Sequence, residues 1–178
     1  MIDAKILVVD DNKSVLSALE IQLQFEYKSV QTLFNPNQIS SFPKLEEIDI
    51  VLLDMNFSAG VNTGNEGLFW LNEIKKKSPN TSVILMTAYG AVDLAVSALK
   101  QGAADFILKP WNNERLMATV KSAYELRKSK QEIRKLKKKE SNLKQVINEG
   151  KNAIIGNSKA LTSVLTLVKM VAKTDVND

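Results

Sequence analysis

The sequence predicts a doubly wound α/β domain on a five-stranded parallel sheet, followed by a long basic helix. Three observations carry that prediction. Short apolar runs alternate with stretches of helical spacing, the pattern of strands joined by covering helices. Several of those runs end abruptly on a carboxylate, a hydroxyl or an ammonium. Neither Gly nor Pro occurs between Trp111 and Glu149, so one helix can continue far beyond the last strand.

The central strand is the clearest. Ile50 to Leu53 are four consecutive aliphatic residues closed by Asp54. A run apolar on both alternating faces is expected in the middle of a sheet covered on both sides. Lys5 to Val9 precedes Asp10 and Asp11, Val83 to Met86 precedes Thr87, and Phe106 to Leu108 precedes Lys109 and Pro110. Ser29 to Leu33 supplies a fifth strand.

The connections follow in order. Asn12 is placed to cap a helix from about Lys13, whose Val15, Leu16, Leu19, Ile21 and Leu23 give one largely apolar face. Asn35-Pro36 turns into a short helix through Ile39 and Phe42. Phe57 to Glu66, with Gly60 and Gly64, reads as a flexible loop. Leu68, Leu71 and Ile74 share a helix face that runs to about Lys77, before a turn at Pro79-Asn80. Val92, Ala95, Val96 and Leu99 repeat at helical spacing, with Gly102 as the C-cap. The last helix starts near Asn112 or Asn113, and the α/β domain is expected over 1–123.

Composition narrows the chemistry. The 178 residues are 44% apolar and 25% charged, the balance of a soluble globular chain, and contain no Cys and no His. Disulfides and thiolate metal sites are thereby excluded, as are the usual general base and the usual zinc ligand. No apolar run approaches the roughly 18 residues of a membrane span, and the first residues lack a signal-peptide pattern. A cytoplasmic location with no membrane partner is expected.

In an open parallel sheet, ligands bind outside the carboxyl ends of the strands. Asp10, Asp11, Asp54, Thr87 and Lys109 should therefore meet in one crevice. Together with Thr87-Ala88 and with Phe106 ahead of Lys109-Pro110, these residues resemble the receiver domain of bacterial two-component response regulators. The resemblance covers about Ala4 to Leu126. Met86-Thr-Ala-Tyr-Gly and Gly102-Ala-Ala-Asp-Phe more particularly resemble the receivers of nitrogen-regulator-type (NtrC family) transcriptional activators.

The resemblance implies a flavodoxin-like strand order of 2-1-3-4-5 and phosphorylation of Asp54 by a sensor histidine kinase. A carboxylate is a weak nucleophile, and a divalent cation would neutralise the incoming phosphoryl oxygens. Magnesium prefers oxygen ligands, which suits Asp10, Asp11, Asp54 and the backbone carbonyl of Asn56. Thr87 and Lys109 would hold the transferred phosphoryl group, and Phe106 would move into space left by Thr87 as the switch. Asn56 and Tyr89 would flank the hydrolytic water. The segment from Met55 to Gly67 departs from the family by its length.

Lys121 to Lys144 contains ten Lys or Arg and three Glu, a net charge of +7 against +4 for the whole chain. Leu126, Ile133, Leu136, Leu143 and Ile147 fall on an a/d heptad register broken by Ser129 and Glu140. A parallel coiled-coil dimer linker over 124–150 is expected, the alternative being a solvated basic spacer. Contact of this helix with DNA phosphates is a weaker possibility, because no element for reading base edges accompanies it.

Residues 151–178 resemble the entry to the AAA+ ATPase domain of the same activators, with Ser158 capping a helix through Leu161, Leu165, Val168 and Val171. No glycine-rich phosphate loop is present, so ATP binding in that manner is not expected. The expectation is a phosphoacceptor regulatory module rather than an enzyme. In the full-length protein, it would control an ATPase acting on RNA polymerase with the sigma-N factor, with DNA bound through segments absent from these residues.

Two other readings have less support in the residues. A magnesium-dependent aspartyl-phosphate phosphatase of the haloacid dehalogenase type wants a second Asp two positions after the nucleophile, where this chain has Asn56. A degenerate receiver that only dimerises is opposed by the full set of Asp11, Asp54, Thr87 and Lys109.

Overall fold

The structure is a computed structural model that describes residues 1–57, 65–88 and 92–154, with Ser163 and Thr166. In order, β1 is Ile2–Val9, α1 Lys13–Gln24, β2 Tyr27–Leu33, β3 Ile50–Asp54, α2 Asn65–Lys77, β4 Ser82–Ala88, α3 Val92–Lys100, β5 Asp105–Lys109 and α4 Asn113–Ile154. All strand pairs are parallel, in the order β2-β1-β3-β4-β5. This is the expected doubly wound sheet.

The pleat explains why the strands read as continuous apolar runs. Ile6, Val8, Ile50, Leu52, Ile84 and Met86 face one layer, packed by Leu16, Leu19 and Leu23 of α1 and by Leu116 and Val120 of α4. Leu7, Val9, Val51, Leu53, Val83 and Leu85 face the other, with Leu71 and Ile74 of α2 and Ala98 of α3. Both faces of β1, β3 and β4 are covered, so alternation disappears from their sequences. Each such side chain, fully buried, contributes about 1.5–3 kcal/mol.

Several local readings hold. Asn12 Oδ1 accepts the Ser14 and Val15 amides at 2.9 and 3.4 Å, capping α1. Gly102 has φ of +98°, the left-handed conformation that ends α3 without a side-chain clash. Asn112 Oδ1 caps α4 by accepting the Glu114 amide at 2.8 Å.

Others differ. The short helix through Ile39 and Phe42 is instead two 3-10 segments, Pro36–Ser41 and Leu45–Glu47, which bury Ile39 and Leu45 with tight turns. On α1, Ile21 is 62% exposed and does not belong to the core face. On α3, Val96 and Leu99 are partly exposed, and Ala95 and Ala98 make the buried contact. Small residues suit a close approach of helix and sheet, with Leu94 packed beside them and Val96 and Leu99 turned further toward solvent.

The chain divides into two compact units, Met1–Gln131 and Glu132–Asp178. Docking of α4 within the first unit continues past Ala123. The Tyr124 hydroxyl donates to the Asp3 carbonyl at 3.0 Å, and Arg127 donates from Nε to the Asn80 carbonyl at 3.0 Å while pairing with Asp49. In the second unit Ile133, Leu136 and Leu143 are exposed. Helix α4 also runs through Gly150 to Ile154. The helix expected from Ser158 lies outside the described residues, as does the side chain of Ile147. Among the described residues, no helix is long and apolar enough to cross a membrane.

Candidate functional site

The carboxyl ends of β1, β3 and β5 deliver the site. The Asp10 amide still donates to the Leu33 carbonyl at 3.2 Å, which carries the β1 backbone to the sheet edge. One Asp10 carboxylate oxygen then accepts the Asn12 amide at 2.8 Å. The other accepts from Lys109 Nζ at 2.7 Å, and the same ammonium lies 3.0 Å from Asp54 Oδ1. One lysine at the end of β5 thus spans carboxylates from β1 and β3. A cis peptide joins Lys109 to Pro110.

Asp11 completes the cluster. One oxygen each of Asp10, Asp11 and Asp54 lie within 4.8 Å of one another. Asp10 is fully buried and Asp54 is 6% exposed. Burial raises the Asp54 carboxyl above its ordinary value; Lys109 opposes that shift and Asp10 adds to it, while the Asn56 backbone N–H bonds to the carboxylate and lowers it. Asp11 is also raised, by burial first and by Asp10 second, with Glu66 contributing. Burial lowers Lys109, but its hydrogen bond to Asp10 and the attraction of Asp54 more than offset this and leave it raised.

Three carboxylates face one ammonium, leaving an excess of two negative charges in a poorly solvated pocket. Like carboxylates so placed resist common ionisation. A hard divalent cation would relieve that repulsion, and an all-oxygen donor set suits one. The residues present therefore fit a metal ion of that kind.

The other expected site residues lie around this cluster. Thr87 is buried at the end of β4, next to Met86, the register partner of Asp54, and its hydroxyl donates to the Ala88 carbonyl at 3.5 Å. Phe106 is partly buried against the core layer of α2 and α3 and pairs in register with Leu85. Tyr89 lies outside the described residues, as do 58–64 of the expected loop. An open cleft beside Asp11 is lined by Phe34, Asn35, Pro36, Phe57, Glu66 and Trp70.

One participant was not legible. Glu66, read as the end of a loop, sits in the first turn of α2 and accepts the Phe57 amide at 3.1 Å. An acid directly before a glycine at the start of a helical pattern was the available signal, but it does not reveal a partner across a loop.

A parallel sheet in this order, with three carboxylates and a lysine meeting at its carboxyl edge, defines a doubly wound α/β domain with an acidic, lysine-bridged cluster. Residues 6–121 match the response regulator receiver domain, and the chain belongs to that family. It is similar to the alginate biosynthesis transcriptional regulatory protein AlgB of Pseudomonas putida, at 30% identity over 97% of this chain and 36% of that protein. The response regulator protein PilR of Pseudomonas aeruginosa is 35% identical over 69% of this chain and 26% of its own length.

Among solved structures, the N-terminal signal receiver domain of a two-component system response regulator from Bacteroides fragilis has a TM-score of 0.62 at 45% identity, covering 69% of this chain and 98% of that one. NtrX from Brucella abortus, crystallised with ADP, has a TM-score of 0.68 at 31% identity, covering 77% and 30%. These relatives bear out the resemblance to nitrogen-regulator-type proteins. The chain spans only about a third of AlgB, 36% of its length.

Proposed function

We propose that this chain is a phosphorylation-controlled module in which Asp54 accepts a phosphoryl group from a sensor histidine kinase. The observation that carries the reading is the Lys109 ammonium held between Asp10 and Asp54 beside a third carboxylate, Asp11. That arrangement provides a nucleophile, a cation for phosphoryl oxygens and an oxygen-rich metal site at one sheet edge.

Asp10, Asp11, Asp54 and the Asn56 carbonyl would hold magnesium. When bound, the ion supplies neutralisation of charge on the phosphoryl oxygens. An Asp54 oxygen attacks phosphorus in line, the phosphorus–nitrogen bond to the donor imidazole breaks, and the imidazole leaves with that electron pair and takes up a proton. Lys109 then pairs with a phosphoryl oxygen, and the Thr87 hydroxyl donates to another. Loss of Thr87 from its resting position lets Phe106 turn inward, which converts a local charge event into a change of surface. Self-catalysed transfer and slow hydrolysis of the acyl phosphate are the only chemistry proposed.

The output reading rests on the helix. Leu126, Ile133, Leu136 and Leu143 are 51 to 62% exposed, as expected of a seam awaiting a second copy. A homodimer through 124–150 would pass the switch to an ATPase in the full-length protein and so to sigma-N-dependent transcription. Residues 151–178 would begin that ATPase domain.

Intact-mass measurement with magnesium and acetyl phosphate tests the chemistry. One added phosphoryl group is expected on the wild type and none on Asp54→Asn. No adduct on either, with magnesium present, contradicts the reading.

A further inference from the structure

The segment after Asp54 is gripped by the first turn of α2 at two adjacent points. The Gly67 amide donates to the Met55 carbonyl at 3.1 Å, and the Glu66 carboxylate accepts the Phe57 amide at 3.1 Å. The fit is tight. A Cβ added at Gly67 would lie 2.6 Å from Met55 Cα and 3.2 Å from the Asp54 carbonyl oxygen, against backbone that cannot give way cheaply. Asn56 lies between the two gripped residues.

Peptide planarity gives this clamp a consequence. The Asn56 carbonyl and the Phe57 amide belong to the same rigid, trans peptide unit, in which C=O and N–H point in opposite directions. Whatever fixes the Phe57 N–H also fixes the Asn56 C=O. An ionised acceptor on the N–H further polarises the amide and makes its carbonyl oxygen a better ligand.

We propose that Glu66 is a positioning residue for the metal site: by holding the Phe57 amide, it orients the Asn56 carbonyl as a neutral oxygen ligand, while Gly67 locks the preceding peptide onto α2. The long connection after Phe57 then need not be short to preserve that ligand, because α2 itself grips the backbone on the far side of it. In this role Glu66 is a ligand of neither the phosphoryl group nor the ion. Its action passes through one peptide plane. This inference rests on the reading of the acidic cluster as a magnesium-dependent phosphoacceptor site.

Magnesium affinity of the whole chain, measured by calorimetric titration, tests it with Glu66→Ala and Glu66→Gln, alongside Tm in EDTA. Removing an outer-shell partner of a metal ligand typically costs about 10–100-fold in affinity. Glu66→Ala is expected to weaken magnesium binding by about tenfold at the lower end of that range. Glu66→Gln, which keeps an acceptor for the Phe57 amide, is expected to recover most of the loss. Equal losses in both variants would assign the effect to charge near Asp11 and overturn the positioning role. Unchanged affinity in Glu66→Ala would overturn it too, even if Tm falls. Should Glu66→Ala fail to fold, hydrogen exchange at the Phe57 amide decides: protection in both wild type and Glu66→Gln supports the clamp, and rapid exchange in the wild type refutes it. A wild type that binds no magnesium defeats the metal reading itself, whereas binding without loss in Glu66→Ala defeats only the clamp.

Discussion

Lys109 is the residue on which the electrostatics of the pocket turn, since its ammonium contacts both Asp10 and Asp54. It does not neutralise all three carboxylates. Asp54 and Asp11 have folded pKa values above their ordinary ones, chiefly from burial. Their contribution to stability is therefore full below the ordinary carboxylate range and is lost as pH rises through the raised values. At neutral pH without metal, their charges weigh against the fold. Asp54→Asn is accordingly expected to melt about 2–4 °C above the wild type at pH 7 in EDTA, the response of a chain this long to about 1 kcal/mol. The difference should shrink as pH falls toward 4, and a lower Tm for the variant at pH 7 would contradict the electrostatic account. At this scale the sequence was informative where a polar residue closes an apolar run, as Asp10, Asp54 and Lys109 do. Glu66 escaped because its partner, Phe57, is nine positions away across a loop, and no local pattern encodes that bond.

Among the elements, α4 has the longest reach. Its Leu116, Val120 and Ala123 are buried against the sheet at helical spacing, and Arg127 then fastens it polar-side to Asp49 and Asn80. Asp49 also accepts the Lys5 amide at 2.8 Å, so this anchor ties α4 to the middle of β1 and the start of β3. Arg127→Ala is expected to cost about 2 kcal/mol by urea midpoint, because it strips a partly buried carboxylate of its cation. Arg127→Lys should restore little, since a single ammonium cannot reproduce the divergent guanidinium bonds. A loss below about 0.5 kcal/mol, the range of ordinary surface substitutions, would mean the helix is held by its apolar face alone. Strands were legible because β1, β3 and β4 are covered on both faces and so read as unbroken apolar runs. Helix faces were less so. Periodicity shows which side chains are apolar but not which are covered: Ile21, Val96 and Leu99 fit the apolar repeat yet are exposed. The 3-10 segments between β2 and β3 gave only a proline turn and two isolated apolar residues as clues.

For the whole molecule, the two units carry different kinds of sequence. Met1–Gln131 is mixed in charge with a two-layer core, and the stretch leaving it is strongly basic with widely spaced exposed apolar residues. The division between the units falls within the basic stretch where composition changes, while the helix's passage through Gly150 was not legible, since glycine costs a helix only about 1 kcal/mol and does not forbid it. If the seam pairs two copies, the intact chain sediments as a dimer, and Leu136→Lys with Leu143→Lys sediments as a monomer. A monomeric wild type at micromolar concentration would remove the dimer. Everything downstream depends on which residue is the phosphoacceptor. Borohydride reduces an aspartyl phosphate to homoserine, so the chain can be treated with magnesium and acetyl phosphate, reduced, digested and mapped by mass. Homoserine is expected at position 54 and at no other aspartate; an unmodified Asp54, or homoserine at Asp10 or Asp11 instead, would show that Asp54 is not the acceptor.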